Sequence, residues 1–355
     1  MNARPACIGD LPVKLARAAR WFLPLLVLLP LACSPRKTAD QGAAPPGGPR
    51  VGLVFDVGGR GDQSFNDSAY RGLQRAAKEL DADISNLIEP SEGSDRESAL
   101  RTLAAKNLDI IFGIGFIFTD DLNRLAADYP KQKFACVDYA LKEGGQVPAN
   151  VQALKFREEE GSFLVGALAA LLSKPHKLGF VGGMDIALIH KFAAGFRAGA
   201  AYADPSVKVS VKYAGVTGDA FKNPTKGKEL ALGMYAEGAD IIFHASGSTG
   251  QGVFEAAKEQ KKLAIGVDSD QWRPEYDGVV LTSMIKNVDE SVFQSVKTAH
   301  DGTWKGGVVE LGLKEGGVNY VYDAHNRALI PDPVRDQVER IRQKIVAGEI
   351  RVPKQ

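Results

Sequence analysis

From residue 51 onward the chain alternates two hydrophobic rhythms. Short, mostly apolar runs predict strands over 51–55, 84–88, 109–114, 134–137, 151–156, 178–181, 207–213, 241–244 and 263–267. Between them, apolar positions recur three and four residues apart. This predicts helices over 64–80, 95–106, 120–128, 158–172, 186–202, 225–237 and 250–259. In the first of these Ala69, Leu73, Ala76, Ala77 and Leu80 share one face. A repeated strand–helix order places crossover helices on both faces of a parallel sheet. So many units exceed one comfortable sheet, so the pattern predicts two doubly wound parallel-sheet α/β domains. After Asp268 the rhythm changes to a strand over 279–285, a helix over 288–300, two hairpin-like strands over 308–313 and 318–322, and a last helix over 332–347. A late return to the first domain explains this change. The expected division is 51–152 plus about 269–305 for the first lobe, and 153–268 plus about 306–355 for the second.

The first residues follow another logic. Arg4, Lys14, Arg17 and Arg20 precede an apolar run from Trp21 to Leu31, then Ala32 and Cys33. This is the layout of an export signal over 1–32, and the run is short of the about 20 residues of a membrane span. The alternative is an N-terminal anchor that is never cleaved. Leu29-Pro30-Leu31-Ala32-Cys33 resembles a bacterial lipobox, although proline stands where leucine is usual, three residues before the cysteine. The resemblance makes Cys33 a lipidated first mature residue. Residues 33–50, rich in Pro and Gly with little to bury, then form a flexible tether. Cys7 falls in the removed segment. Cys136, inside a buried-strand pattern, is left as a small core hydrophobe, with no disulfide framework in one mature chain.

The chain has 355 residues with 44 basic and 43 acidic side chains, a net charge of +1. That balance carries no electrostatic footprint for nucleic acid. Five scattered histidines show no metal spacing, and there is no G-x-S-x-G nucleophile pattern, so neither a metal nor a cofactor is expected.

The candidate chemistry gathers where strands end. Phe55 to Asn66 reads F-D-V-G-G-R-G-D-Q-S-F-N, a glycine-rich turn between a strand and a helix. Such turns lie at the carboxyl edge of an open α/β sheet, where ligands bind. This one offers a carboxylate (Asp56), a ring (Phe65) and an amide (Asn66), without a phosphate-binding lysine. It suits a neutral, flat, hydroxylated molecule. Asp138, Asp185 and Asp268 also follow strands, and a carboxylate there accepts two hydrogen bonds from a vicinal diol. Taken singly, each aspartate equally fits a helix cap or turn, Asp185 most plainly. Lys286 ends another strand, as a cation for ligand oxygens or as a solvated surface lysine. Gly247 lies in the glycine-rich 245–252, whose amides open a helix but match no phosphate loop. Phe221, a ring in the polar loop 217–224, pairs with Phe65 around a planar base or packs on its own domain.

Several motifs in order resemble the basic membrane protein family of bacterial substrate-binding lipoproteins, which includes purine nucleoside receptors. They are D-V-G-G-x-x-D-x-S-F-N at 56–66, G-G-M-D-I-A-L-I-H-K-F-A-A-G-F at 182–196, K-G-K-E-L at 226–230, G-A-D-I-I-F-H-A-S-G at 238–247 and G-V-D-S-D-Q at 266–271. The resemblance spans 51 to about 347. It implies a type I periplasmic binding protein fold with three hinge crossings, which captures a nucleoside and delivers it to the permease and ATPase of an ABC importer. It implies further that Asp56 and Phe65, with Asn66 beside them, meet the base, and that Asp138, Gly247, Asp268 and Lys286 serve the sugar. Phe221 is the implied second ring. Other functions on the same fold are a ligand sensor and a nucleoside-processing enzyme. An exported chain disfavours a nicotinamide-dependent dehydrogenase, whose cofactor pool is cytoplasmic.

Overall fold

A computed structural model describes residues 47–89 and 95–355, all within one compact unit, Ala43–Gln355. The expected signal segment, Cys33 and most of the tether lie outside the described residues. The strands are β1 (Arg50–Val54), β2 (Asp83–Ile88), β3 (Ile110–Ile114), β4 (Phe134–Val137), β5 (Val151–Phe156), β6 (Lys177–Met184), β7 (Lys208–Gly215), β8 (Ile241–Ala245), β9 (Leu263–Asp268), β10 (Val280–Lys286), β11 (Gly307–Leu311) and β12 (Val318–Tyr320). The helices are α1 (Phe65–Leu80), α2 (Arg96–Ala104), α3 (Thr119–Asp128), α4 (Glu158–Leu172), α5 (Ala187–Ala203), α6 (Pro224–Ala236), α7 (Gly250–Gln260), α8 (Val288–His300) and α9 (Asp332–Val346).

Two six-stranded sheets result, ordered β11-β5-β4-β3-β1-β2 and β12-β10-β9-β8-β6-β7. Every pairing is parallel except β10 with β12. The two orders are the same motif used twice, so β1 to β5 correspond to β6 to β10. Strands such as β4 and β8 are buried along their whole length, because a parallel sheet covered on both faces leaves no wet side. Cys136 sits there, fully buried, its thiol facing the Gly115 carbonyl oxygen at 3.6 Å. Burial pushes the thiol pKa up, as suits a core residue.

The sheets divide the chain differently from the expected lobe boundaries. β10 pairs with β9, Asp268 opposite Ile285, and so lies in the second sheet. β11 pairs with β5 and completes the first. β11 and β12 are therefore no hairpin. They stand in different sheets, and residues 312–317 cross between them. The other crossings fall at Arg157, between β5 and α4, and at Asn287, between β10 and α8. Beyond each, the helix packs on the opposite lobe: α4 against α5, β10 and α9, and α8 against α1. The crossings also bond to one another. The Arg157 amide donates to the Leu311 carbonyl at 2.9 Å, and the Asn287 amide to that of Gly317 at 2.9 Å. The Leu313 amide donates to Glu160 at 2.8 Å.

Candidate functional site

The carboxyl ends of both sheets border one cleft, with about 560 Å³ of space free of protein atoms and partly open to solvent. Asp56, Phe65, Asn66, Asp138, Phe221, Gly247, Asp268 and Lys286 all line it. Asp185 does not. It is exposed, and it pairs with His190 at 2.5 Å.

The turn after β1 is organised by Asp62, a residue the sequence reading passed over. Its carboxylate accepts from the amides of Ser64 (2.9 Å), Asn66 (2.8 Å) and Asp67 (3.1 Å), the free donors at the start of α1. Asp62 thus caps the helix, and the Ser64 hydroxyl is left for other work. Asn66 is a brace: its Nδ2 donates to Asp62 at 3.0 Å, and its Oδ1 accepts the Asp56 amide at 2.9 Å. Asp56, so positioned, lays its carboxylate over Gly115. A Cβ at Gly115 would stand 2.1 Å from Asp56 Oδ2, and φ there is +114°, so glycine is required twice over. Burial drives the Asp56 pKa up to about 7, with the Asp138 and Asp62 charges adding to it, against the pull of the Val57 amide.

Asp138 directly follows β4 and Asp268 ends the corresponding strand β9, and both take the left-handed conformation, φ 61° and 64°. Asp138 comes from the first lobe and meets Lys286, whose Nζ donates to its Oδ2 at 2.7 Å. Its Oδ1 lies 2.6 Å from the same nitrogen, but out of line for a hydrogen bond. Lys286 is only 2% exposed. Besides Asp138 it faces Glu158 at 3.2 Å and the rings of Phe65 and Phe156, each 5.1 Å from Nζ. Burial opposes its charge, but Asp138, Glu158 and Asp268 together raise its pKa and keep it protonated. Asp268 accepts from Ser64 Oγ at 2.5 Å, a bond between lobes. Burial lifts its pKa to about 6, against the pull of Lys286 and Ser64. The lobes also meet where Arg71 donates to Ser269 Oγ (2.6 Å) and Gln271 Nε2 to the Gln63 carbonyl (3.2 Å).

The opposite wall carries Phe221. Its turn hangs on the glycine-rich segment after β8: Ser248 Oγ donates to the Phe221 carbonyl at 3.0 Å, and Thr249 Oγ1 to that of Ala220 at 2.8 Å. The ring presses on Gly183, where a Cβ would fall 2.2 Å from Cε1. Below it, buried His244 has its Nε2 3.0 Å from Gln271 Oε1, an oxygen that also takes the Val267 amide. That oxygen can only accept, so Nε2 carries the proton. Burial lowers the His244 pKa to about 4, so the ring stays neutral as a brace beneath the strand end that bears Asp268.

The family model described as ABC transporter substrate-binding protein, PnrA-like (Bmp), matches residues 50–355. The chain belongs to this family. As a Bmp-family protein it is 35% identical over 312 residues to basic membrane protein A of Borreliella burgdorferi, covering 86% of this chain and 88% of that one. An uncharacterised lipoprotein of Pyrococcus abyssi is 38% identical over 287 residues, 76% of this chain and 68% of the other. The crystal structure of an ABC transporter solute-binding protein from Aeropyrum pernix superposes with a TM-score of 0.77 at 31% identity, covering 86% and 94% of the two chains. The expected type I periplasmic binding protein architecture is thereby shown. Membership makes a solute the ligand and an ABC permease the partner. Of the Bmp-family cleft, sequence reasoning missed Asp62, Phe116, Leu188, Ile189 and Phe192 on its lining, and Glu158 and Lys191 behind Lys286. Asp62, Leu188, Ile189, Lys191 and Phe192 fall within the motifs that carry the family resemblance, but nothing in their spacing marked them as site residues.

Proposed function

We propose that this cleft captures a nucleoside, a purine nucleoside in particular, without chemistry, for an ABC importer, and that a lipid on Cys33 tethers the protein outside the cytoplasm. One observation carries the reading. Half-buried Phe65 and Phe221, one from each lobe, share a cleft with Asp56, Asp138, Asp268 and Lys286. A flat heterocycle fills the space between rings, and carboxylates beside a buried ammonium suit sugar hydroxyls, which both donate and accept. The Asp56 carboxyl, its pKa raised by burial to about 7, can meet a purine edge as acceptor or donor. Asn66, its amide already engaged, acts through Asp56. Ligand held by both walls draws the lobes together at the three crossings.

The test is a calorimetric and thermal-shift screen of the mature protein against nucleosides, free bases, sugars and flavins. A ligand at 100 times its Kd adds about 2.7 kcal/mol of stability. The reading fails if sugars or flavins shift the protein while nucleosides leave it unmoved. Phe65→Ala should weaken nucleoside binding by about 1–3 kcal/mol, the scale of one base–aromatic stack. Unchanged calorimetric affinity in a folded variant returns Phe65 to the core. For the anchor, Cys33→Ser expressed in a bacterium should move the protein from the membrane to the soluble fraction after export. A wild type already soluble there refutes lipidation.

A further inference from the structure

We propose that Glu158 is a positioning residue for the cleft: anchored by Lys191 at the hinge, it holds the Lys286 ammonium in place. The consequence for binding rests on the nucleoside reading above. The placement of Lys286 does not.

The two lobes leave their sheets by corresponding steps. β5 runs into α4 and β10 into α8, each passing to the other lobe. Glu158 opens α4 just past the first of these crossings, and Lys286 is the last residue of β10 just before the second. Their side chains meet at 3.2 Å, where the crossings run side by side. Glu158 is 1% exposed, and its other oxygen accepts from Lys191 Nζ. Lys191, on α5, also donates to the carbonyl of Phe156, the end of β5. Lys286 is thus held by a chain of charges that begins at the hinge and ends in the cleft.

The fold separates the two counter-ions of Lys286 by lobe. Asp138 directly follows β4 and travels with the first sheet. Glu158, Lys191 and Lys286 belong to elements packed in the second lobe. When the lobes part, Asp138 is carried away and Glu158 stays. Asp268 stays as well, but among the described residues Glu158 is the one carboxylate of that lobe within ion-pair distance of Nζ, so Glu158 is what holds the Lys286 ammonium pointing into the cleft before ligand arrives. Asp138 then rejoins on closure.

The test uses the full mature protein without ligand, as wild type and as Glu158→Gln, Lys191→Met and Lys191→Arg. The Lys286 ammonium is followed by nitrogen-15 NMR and assigned through its loss in Lys286→Arg. In wild type and Lys191→Arg the ammonium protons should exchange slowly. Glu158→Gln should speed that exchange by about tenfold or more, with Lys191→Met in between. Inosine and hypoxanthine serve as calorimetric probes. Glu158→Gln should weaken inosine by about tenfold and leave hypoxanthine within about twofold, because only the sugar meets Lys286. General loosening of the fold would weaken both alike. Wild-type exchange in Glu158→Gln, or an equal loss for both probes, overturns the proposal. Should Glu158→Gln not fold, Lys191→Met decides by the same criteria. If wild type binds neither probe, the ammonium exchange alone judges the placement of Lys286, and the nucleoside reading is judged by the wider screen above.

Discussion

Lys286→Met is expected to lower the unfolding free energy by about 3–5 kcal/mol, the cost of breaking a buried ion pair by removing one partner. The size follows from what is left behind. Asp138 and Glu158 are 8% and 1% exposed, and both lie against this ammonium, Glu158 with Lys191 as its second partner. Burial already holds the Asp138 pKa above its unfolded value; without the ammonium it rises further, and that of Glu158, which Lys286 and Lys191 together hold down, rises with it. The folded variant then binds protons more tightly than the unfolded one, so its deficit is largest at neutral pH and above and shrinks as pH falls toward 5. Urea denaturation of wild type and variant at pH 7.5 and 5 measures this. A control that also carries Asp138→Asn and Glu158→Gln should recover much of the loss, since neutral groups tolerate the same burial. A Lys286→Met protein as stable as wild type at pH 7.5 would show that the cluster is solvated rather than paired.

Asp56→Asn should move stability and binding in opposite directions. The folded pKa of Asp56 is raised from 3.8 to about 7, so the fold favours its neutral form. The stability tied to that proton is fully present below pH 3.8 and is lost as pH rises toward 7. Above that, holding the charge costs on the order of 2–4 kcal/mol. Asparagine keeps the oxygen that accepts the Val57 amide and carries no charge. The variant should therefore match wild type near pH 4 and exceed it by up to that amount at pH 8, while nucleoside affinity falls at least about tenfold. Thermal melts across this pH range, paired with calorimetry, give both numbers. Equal melting temperatures at pH 8 would mean that Asp56 is not strained by its surroundings. Stabilisation without loss of affinity would remove it from the ligand contacts.

The legible parts of this protein were those written in local periodicity. Helices such as 158–172 and 288–300 and strands such as 134–137 and 151–156 stand at their expected bounds. Sheet membership was not legible. A buried strand reads the same whichever sheet receives it, so the run at 280–286 gave no sign that it would pair with β9 rather than return to the first lobe. Much of the cleft was legible because Asp56, Asp138, Asp268 and Lys286 each interrupt an apolar run at a strand end. Glu158 was hidden by the same reasoning. Three glutamates in the first turn of a helix match a solvated, dipole-stabilised terminus, and only the tertiary fold shows two of them to be buried. Asp62 was masked by Ser64, which fits the capping pattern but spends its hydroxyl on Asp268.

The three crossings also set the order in which this chain can mature. The first sheet is not complete until β11, residues 307–311, has been made, and α1 lacks its partner α8 until residue 300. By then all five parallel strands of the second sheet exist. Neither lobe is a contiguous stretch that could finish folding as it emerges from the ribosome, and contacts between such distant segments make for slow folding. For a chain exported as proposed above, slowness of that kind is an asset. A polypeptide that cannot close its first lobe until its last quarter is synthesised has little chance to become trapped, fully folded, on the wrong side.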